Sequence, residues 1–97
     1  MIIQRVFHEV KSGRIGEFLA LLKSQPESVL SRATKRTYTA SIGPPAHTVC
    51  HELEFADLAE LDRVWAAWWA DPKTPAYMAK YWELVEGGHS EVWELVK

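Results

Sequence analysis

The first ten residues alternate between two partly apolar faces, which predicts a β-strand over Ile2–Val10. One face carries Ile2, Gln4, Val6, His8 and Val10, and the other carries Ile3, Arg5, Phe7 and Glu9. Because neither face is plainly polar, we predict a central strand that is covered on both sides.

A helical pattern follows the turn at Lys11-Ser12-Gly13. Apolar residues recur at helical spacing at positions Ile15, Phe18, Leu19 and Leu22. Pro26 is expected to kink or restart this helix, since proline fits a first turn but not a helix interior. Val29 and Leu30 are expected to complete its apolar stripe.

Two β-rich segments flank a loop that contains Gly43-Pro44-Pro45. The first is Thr37–Ile42 and the second is His47–Phe55, which alternates between two faces. Two strands around such a turn predict an antiparallel hairpin.

A helix is predicted to begin after Asp57, because Asp57 and Glu60 have the spacing of a capping box. It runs to about Ala70, where Asp71-Pro72 stops it. A further helix is predicted with Thr74 as its cap.

Pro75 fits the first turn of that further helix, and Gly87-Gly88 is expected to end it. The alternation of His89–Val96 then predicts the last strand.

The order strand, helix, strand, strand, helix pair, strand predicts an α+β, ferredoxin-like βαββαβ fold, as a single domain over residues 1–97. Right-handed connections place strands 1 and 3 in the middle of a four-stranded antiparallel sheet, with helices on one face. The other face is expected to expose Ile3, Phe7, Val92 and Val96. We therefore predict a homodimer that pairs sheet to sheet.

Composition narrows the classes of partner and compartment. The net charge of −2 offers no broad basic surface, so we expect no binding to nucleic acid or to an acidic membrane. Cys50 is the single cysteine, which rules out an intrachain disulfide and favours a cytoplasmic setting. No run approaches the ~18 apolar residues of a membrane span, and the N-terminus is too short and charged for a signal peptide.

Two segments resemble a known family. These are the turn Val10–Arg14 after the first strand and the run Trp69–Lys80, with its Ala-Asp-Pro between two helices. They resemble the NIPSNAP-type branch of the dimeric α/β-barrel superfamily, which also contains antibiotic-biosynthesis monooxygenases, haem-degrading enzymes and muconolactone isomerases. The resemblance implies a homodimer whose two sheets close into a barrel. It also implies that ligands sit between the sheet and the helices of one subunit.

Aromatic residues are concentrated in Val64–Trp82, which holds four of the five tryptophans. Trp65, Trp68 and Trp69 lie within one broad helical stripe. Such a stripe is typical of core packing, but tryptophan is hard to bury fully and its N–H needs a partner. We therefore expect mostly core, with part of the stripe as a pocket wall that binds ligand.

Two histidines are candidate catalytic residues. His8 and His51 are predicted to lie on neighbouring strands and to face the helices, where a histidine is suited to general acid–base chemistry. Gln4 and Tyr38 are expected to orient a ligand by hydrogen bonds. The alternative is that both histidines are half-buried strand residues without a role. No metal site is expected, because His47 and His51 are roughly 13 Å apart along a strand. A site of His8, His51 and a carboxylate is the alternative.

The residues and the resemblance together predict binding of a small aromatic or apolar molecule. The resemblance implies cofactor-independent oxygenation or isomerisation as the reaction class, so no cofactor is expected. A non-catalytic interaction or stress protein on the same scaffold is the alternative, and a haem-binding protein is a third. The sequence leaves open whether the protein is an enzyme.

Overall fold

The computed structural model describes residues 1–26, 33 and 35–97 of the chain. The elements are, in order, β1 (Ile2–Val10), α1 (Ile15–Lys23), β2 (Lys35–Thr39), β3 (Thr48–Phe55), α2 (Leu58–Ala70), α3 (Thr74–Leu84) and β4 (Val85–Glu94). The predicted α+β order is confirmed. Val29 and Leu30 lie outside the described residues.

The strands form one antiparallel sheet in the order β2-β3-β1-β4. The predicted ferredoxin-like fold is confirmed, with β1 and β3 in the centre. In the β1–β3 register Val6 pairs with His51 and Gln4 pairs with Leu53, so these four side chains share one face.

The core lies between that face and the helices. One buried cluster contains Ile2, Leu53, Phe55, Val64, Trp68 and Tyr77, and a second contains Val10, Phe18, Val49, Leu84 and Val85. Full burial of such side chains contributes about 1.5–3 kcal/mol each. The strand residues in both clusters are the alternate residues whose side chains point towards the helices. The opposite side, called the open face below, has no helix among the described residues packed on it.

A side chain caps the start of α2, and a backbone N–H caps its end. Asp57 Oδ1 accepts a hydrogen bond from the Glu60 N–H at 2.8 Å, as the capping box predicts. Glu60 Oε2 accepts from the N–H of Ala56 at 3.3 Å, one residue earlier than predicted. At the other end Asp71 terminates the helix, and its N–H donates to the Trp68 carbonyl at 3.2 Å.

The prediction of Thr74 as the cap of α3 is wrong. Lys73 is the capping residue, and Thr74 is the buried first residue of the helix. Its hydroxyl donates at 2.5 Å to the carbonyl of Trp68, which also accepts from the N–H of Asp71. Thr74 therefore ties the start of α3 to the end of α2.

The prediction that Gly87-Gly88 ends α3 is also wrong, because the helix ends at Leu84 and both glycines lie within β4. A Cβ on Gly88 would lie 2.0 Å from the carbonyl oxygen of Phe7. Glycine is therefore required where β4 passes close to β1.

The face predicted for Val92 is wrong as well. Val92 pairs with Gln4, so it lies on the helix side of β4, whereas Trp93 pairs with Ile3 and lies on the open face. Val96 lies beyond the strand and is 92% exposed. β2 begins and ends earlier than predicted, and Ile42 lies in the following loop.

None of the described helices is long and apolar enough to cross a membrane.

Candidate functional site

A cavity of about 250 Å³ lies between the sheet and the helices. It is lined by Val6, His8, Leu22, Gln25, His51, Trp65, Trp68, Trp69, Tyr77, Met78, Tyr81 and Trp82. This lining contains no aspartate, glutamate, lysine or arginine. Aromatic rings make up half of it, so the cavity is suited to a flat, uncharged molecule.

Backbone alternation explains how the sheet contributes to this cavity. Val6 and His8 point to the helix side of β1, and His51 points the same way because it pairs with Val6. The structure therefore brings His8 and His51 to one space, as the sequence predicted. His47 lies before β3, with a φ of 67°, and its side chain is exposed.

His8 is paired with a tyrosine from α3. Its Nδ1 lies 2.8 Å from the Tyr81 hydroxyl oxygen, and its ring packs against Phe18 with centroids 5.0 Å apart. Burial, together with the nearby His51, lowers the pKa of His8 to about 4. Burial also raises the pKa of Tyr81 to about 12. The His8–Tyr81 pair is therefore uncharged at neutral pH.

The tryptophans of α2 form one wall of the cavity. Trp68 makes edge-to-face contacts with Trp65, Trp69 and Tyr77, at centroid distances of 5.5, 4.8 and 5.7 Å. Trp68 is buried, whereas Trp69 is 60% exposed. Trp82 of α3 is equally exposed, so two rings stand where the cavity meets solvent.

Gln4 does not line the cavity, although it lies on the same face as His8. Its Oε1 accepts a hydrogen bond from Trp65 Nε1 at 2.6 Å, and its Nε2 donates to Ser90 Oγ at 3.0 Å. Both ends of the amide are therefore occupied. Gln4 fixes the indole of Trp65 rather than offering a free group to a ligand.

Tyr38 lies on the other side of the sheet from the cavity. It pairs with Cys50, whose neighbour His51 is the residue that faces inward. Its hydroxyl lies 3.4 Å from Glu52 Oε1 on the open face. The structure therefore does not bring Tyr38 to the other candidate site residues.

Tyr81, Met78 and Trp82 also line the cavity, although the sequence pattern did not mark them as site residues. Tyr77 and Tyr81 are four residues apart and share a helical stripe, a pattern that is typical of core packing. Whether this stripe also contacts the histidines depends on how α3 packs across β1. The sequence pattern does not specify that packing.

The open face carries a network of ion pairs. Glu52, which is buried, accepts from Arg5 Nε at 3.0 Å and from Arg36 at 3.1 Å, and Arg36 also reaches Glu54 at 2.9 Å. The hydrogen bond from Arg5 holds the pKa of Glu52 below its usual value.

The described residues include no cluster of three or more histidine, cysteine, aspartate or glutamate side chains arranged to hold a metal ion. The polar groups that line the cavity are imidazoles, phenols, indoles and the amide of Gln25.

Comparisons with known proteins identify the relatives of this scaffold. The NIPSNAP family model matches residues 5–97. A protein from Agrobacterium tumefaciens superposes with a TM-score of 0.86 at 20% identity, covering 100% of this chain and 95% of its own. An uncharacterised NIPSNAP domain protein from Burkholderia xenovorans gives 0.85 at 16% identity, with coverages of 99% and 95%.

A candidate antibiotic biosynthesis monooxygenase from Chloroflexus aurantiacus is also similar, with a TM-score of 0.67 at 11% identity and coverages of 99% and 93%. No curated protein matches the chain. At these identities the structural similarities support the fold alone.

Proposed function

This chain belongs to the NIPSNAP family, and from that premise we propose that it binds a small, largely apolar or aromatic molecule between its sheet and its helices. The observation that carries the proposal is the 250 Å³ cavity, which is walled by aromatic rings and reached by His8 and His51. A histidine that is only part of the core would be surrounded by packed side chains and would not line a cavity. A non-catalytic interaction protein on this scaffold needs no such cavity.

The volume of the cavity limits the size of the ligand. Pockets for drug-sized molecules span about 300–1,000 Å³, and an engineered cavity of about 150 Å³ holds benzene. A cavity of about 250 Å³ is therefore suited to one or two aromatic rings. Haem exceeds this size, so the cavity argues against a haem-binding protein.

The reaction class that we propose to test first is cofactor-independent oxygenation or isomerisation. The structural similarity to the candidate monooxygenase from Chloroflexus aurantiacus supports this choice. In oxygenation without a cofactor, the substrate itself supplies the electrons, so the protein has only to bind it, exclude water and move a proton. His8 would accept that proton, and Tyr81 would hold the imidazole in place through Nδ1.

The low pKa of His8 restricts the substrates on which it can act. A group whose conjugate acid has a pKa of about 4 is a weak base at neutral pH. Efficient deprotonation therefore requires a substrate with an acidic O–H or an activated C–H. Phenols and hydroquinones meet this requirement when oxygen takes an electron from the ring, because the resulting radical cation is a far stronger acid than the neutral phenol.

Ligand binding can be tested by filling the cavity. We expect 4-ethylphenol, catechol or 2-naphthol to raise the melting temperature of the protein, and Val6→Phe to abolish the shift because Val6 lines the cavity. Val92→Phe is the matched control, since Val92 lies on the same side of the sheet but outside the lining. The proposal fails if no ligand raises the melting temperature of the unchanged protein. It also fails if the melting temperatures of both variants rise as much as that of the unchanged protein.

The open face supports the further proposal of a homodimer. It carries apolar Ile3, Phe7 and Trp93 beside a network in which arginine and glutamate alternate. Such a surface is complementary to its own copy under a two-fold rotation. The dimer would bury the face that the helices leave uncovered.

A further inference from the structure

We propose that the cavity selects by charge and binds an uncharged aromatic molecule in preference to a carboxylate or phenolate of the same size. This inference rests on the proposed function of the cavity and adds the class of ligand. The protein would then discriminate between ligands by their protonation state as well as by the size of their rings.

The composition of the lining supports a preference for uncharged ligands. None of the lining residues carries a permanent charge. The arginines nearest in the sheet, Arg5 and Arg36, point to the open face and are held by Glu52. An anion in the cavity would lose its hydration without gaining a cationic partner, which is the costly case for a buried charge.

The groups that titrate around the cavity support the same preference. These are His8 on β1, His51 on β3, and Tyr77 and Tyr81 on α3. Burial lowers the pKa of His8 and raises the pKa of both tyrosines, so each change opposes the charged form. Protonating His8 at pH 7 to meet an anion would weaken binding by about 1000-fold, because its pKa is about 4.

Aromatic walls also bind soft cations through their ring faces. Here Trp68 is already in edge-to-face contact with Trp65, Trp69 and Tyr77. Each edge-to-face contact covers part of the face of one of its two rings, which reduces the aromatic surface that is open to a cation. The cavity also has no carboxylate to balance a positive charge, so the observations favour a neutral ligand.

The lining offers polar groups to a ligand, because Gln25 Oε1 and Trp68 Nε1 are buried without a hydrogen-bond partner in the described structure, and His8 offers one ring nitrogen. Nδ1 of His8 is taken by Tyr81, whereas none of the described residues hydrogen-bonds its Nε2. A ligand with a hydroxyl or amide group next to its ring would pair with Nε2 and keep the complex uncharged.

Calorimetric titration at pH 7 with three ligands of similar shape tests the inference. We expect 4-ethylbenzamide to bind, and 4-ethylbenzoate and benzyltrimethylammonium to bind at least about 100-fold more weakly, since an uncompensated buried charge costs several kcal/mol. Benzoate binding within tenfold of the amide would overturn the charge selection and leave the proposed function standing. If benzyltrimethylammonium bound most tightly of the three, the cavity would be a cation site and the proposed preference for neutral ligands would be wrong. Binding by none of the three would overturn both proposals.

A charge placed in the cavity provides the reciprocal test. Met78→Lys adds a cation to the lining, and we expect it to strengthen benzoate binding by at least about tenfold through a charge-assisted contact. Ala79→Lys is the matched control, because it adds the same charge at the next, exposed position of α3. Equal gains in the two variants would contradict the proposal. If Met78→Lys does not fold, the three-ligand comparison on the unchanged protein decides.

Discussion

At the scale of single residues, the sequence predicted which way His8 points but not what it contacts. Alternation along β1 fixes the face of His8 because successive side chains point to opposite sides. Its partner Tyr81 is 73 residues away in the sequence. That contact depends on where α3 packs along the sheet. Neither the alternation of β1 nor the helical periodicity of α3 specifies this position.

The burial of His8 predicts a specific loss of stability in mild acid. Because the pKa falls from 6.5 in the unfolded chain to about 4 in the folded protein, the unfolded chain takes up the proton first. His8 therefore stabilises the fold above pH 6.5, and this stabilisation decreases as the pH falls towards 4. We expect a loss of about 2 kcal/mol between pH 7.5 and pH 5.

Urea unfolding at pH 7.5 and pH 5 measures this loss, and His8→Gln should remove it. Glu52 does not interfere, since its lowered pKa places its own loss below 4.5. An equal pH dependence in both proteins would contradict the assignment to His8.

Gln4 is the residue at which the sequence was least informative. Its position on the helix side of β1 predicted a polar group that orients a ligand. The structure instead places an indole and a hydroxyl, from Trp65 and Ser90, within hydrogen-bond distance of both ends of its amide. A buried amide binds whatever polar groups the fold brings to it, and these came from elements distant in sequence.

At the scale of elements, the types were predictable and the ends were not. Hydrophobic periodicity distinguished helices from strands throughout the described chain. The pair Gly87-Gly88 is typical of a helix end, yet it lies two residues inside β4, where strand pairing needs a residue without a side chain. Pairing between strands is a tertiary requirement, and it overrode the local signal.

The two glycines predict different responses to the same substitution. Gly88→Ala would place its Cβ 2.0 Å from the backbone of Phe7, so we expect a loss of at least about 3 kcal/mol in the free energy of unfolding. Gly87→Ala would meet only the flexible carboxylate of Glu9, at 3.3 Å, and should cost about 1 kcal/mol or less. Denaturant unfolding of both variants measures the difference. Equal losses would show that the close approach of β4 to β1 is not the cause.

At the scale of the whole molecule, the topology was predictable because few arrangements satisfy the order of elements and the handedness of their connections. The cavity was not predictable to the same degree. Its volume depends on which rotamers the rings of α2 and α3 adopt when they pack on each other. The sequence indicated many rings near small residues, and only the structure shows that about 250 Å³ is left between them.

The proposed homodimer predicts the response of two neighbouring residues on β4. Trp93 lies on the open face and is 54% exposed, whereas Val92 lies on the helix side and is 49% exposed. We expect Trp93→Lys to weaken the dimer by at least about tenfold and Val92→Lys to leave it unchanged, because charge is disfavoured in an interface core. Sedimentation equilibrium over a range of concentrations measures both. A monomer in the unchanged protein at every concentration would contradict the dimer.

The central claim is that a small aromatic molecule occupies the cavity between the sheet and the helices, and the indole N–H signals test it most directly. Trp65, Trp68, Trp69 and Trp82 line the cavity, while Trp93 lies on the other side of the sheet. In a two-dimensional ¹H–¹⁵N NMR titration with 4-ethylphenol, we expect the four cavity indoles to shift and the Trp93 indole to stay in place. Unchanged signals from the four, or a shift confined to Trp93, would contradict the account.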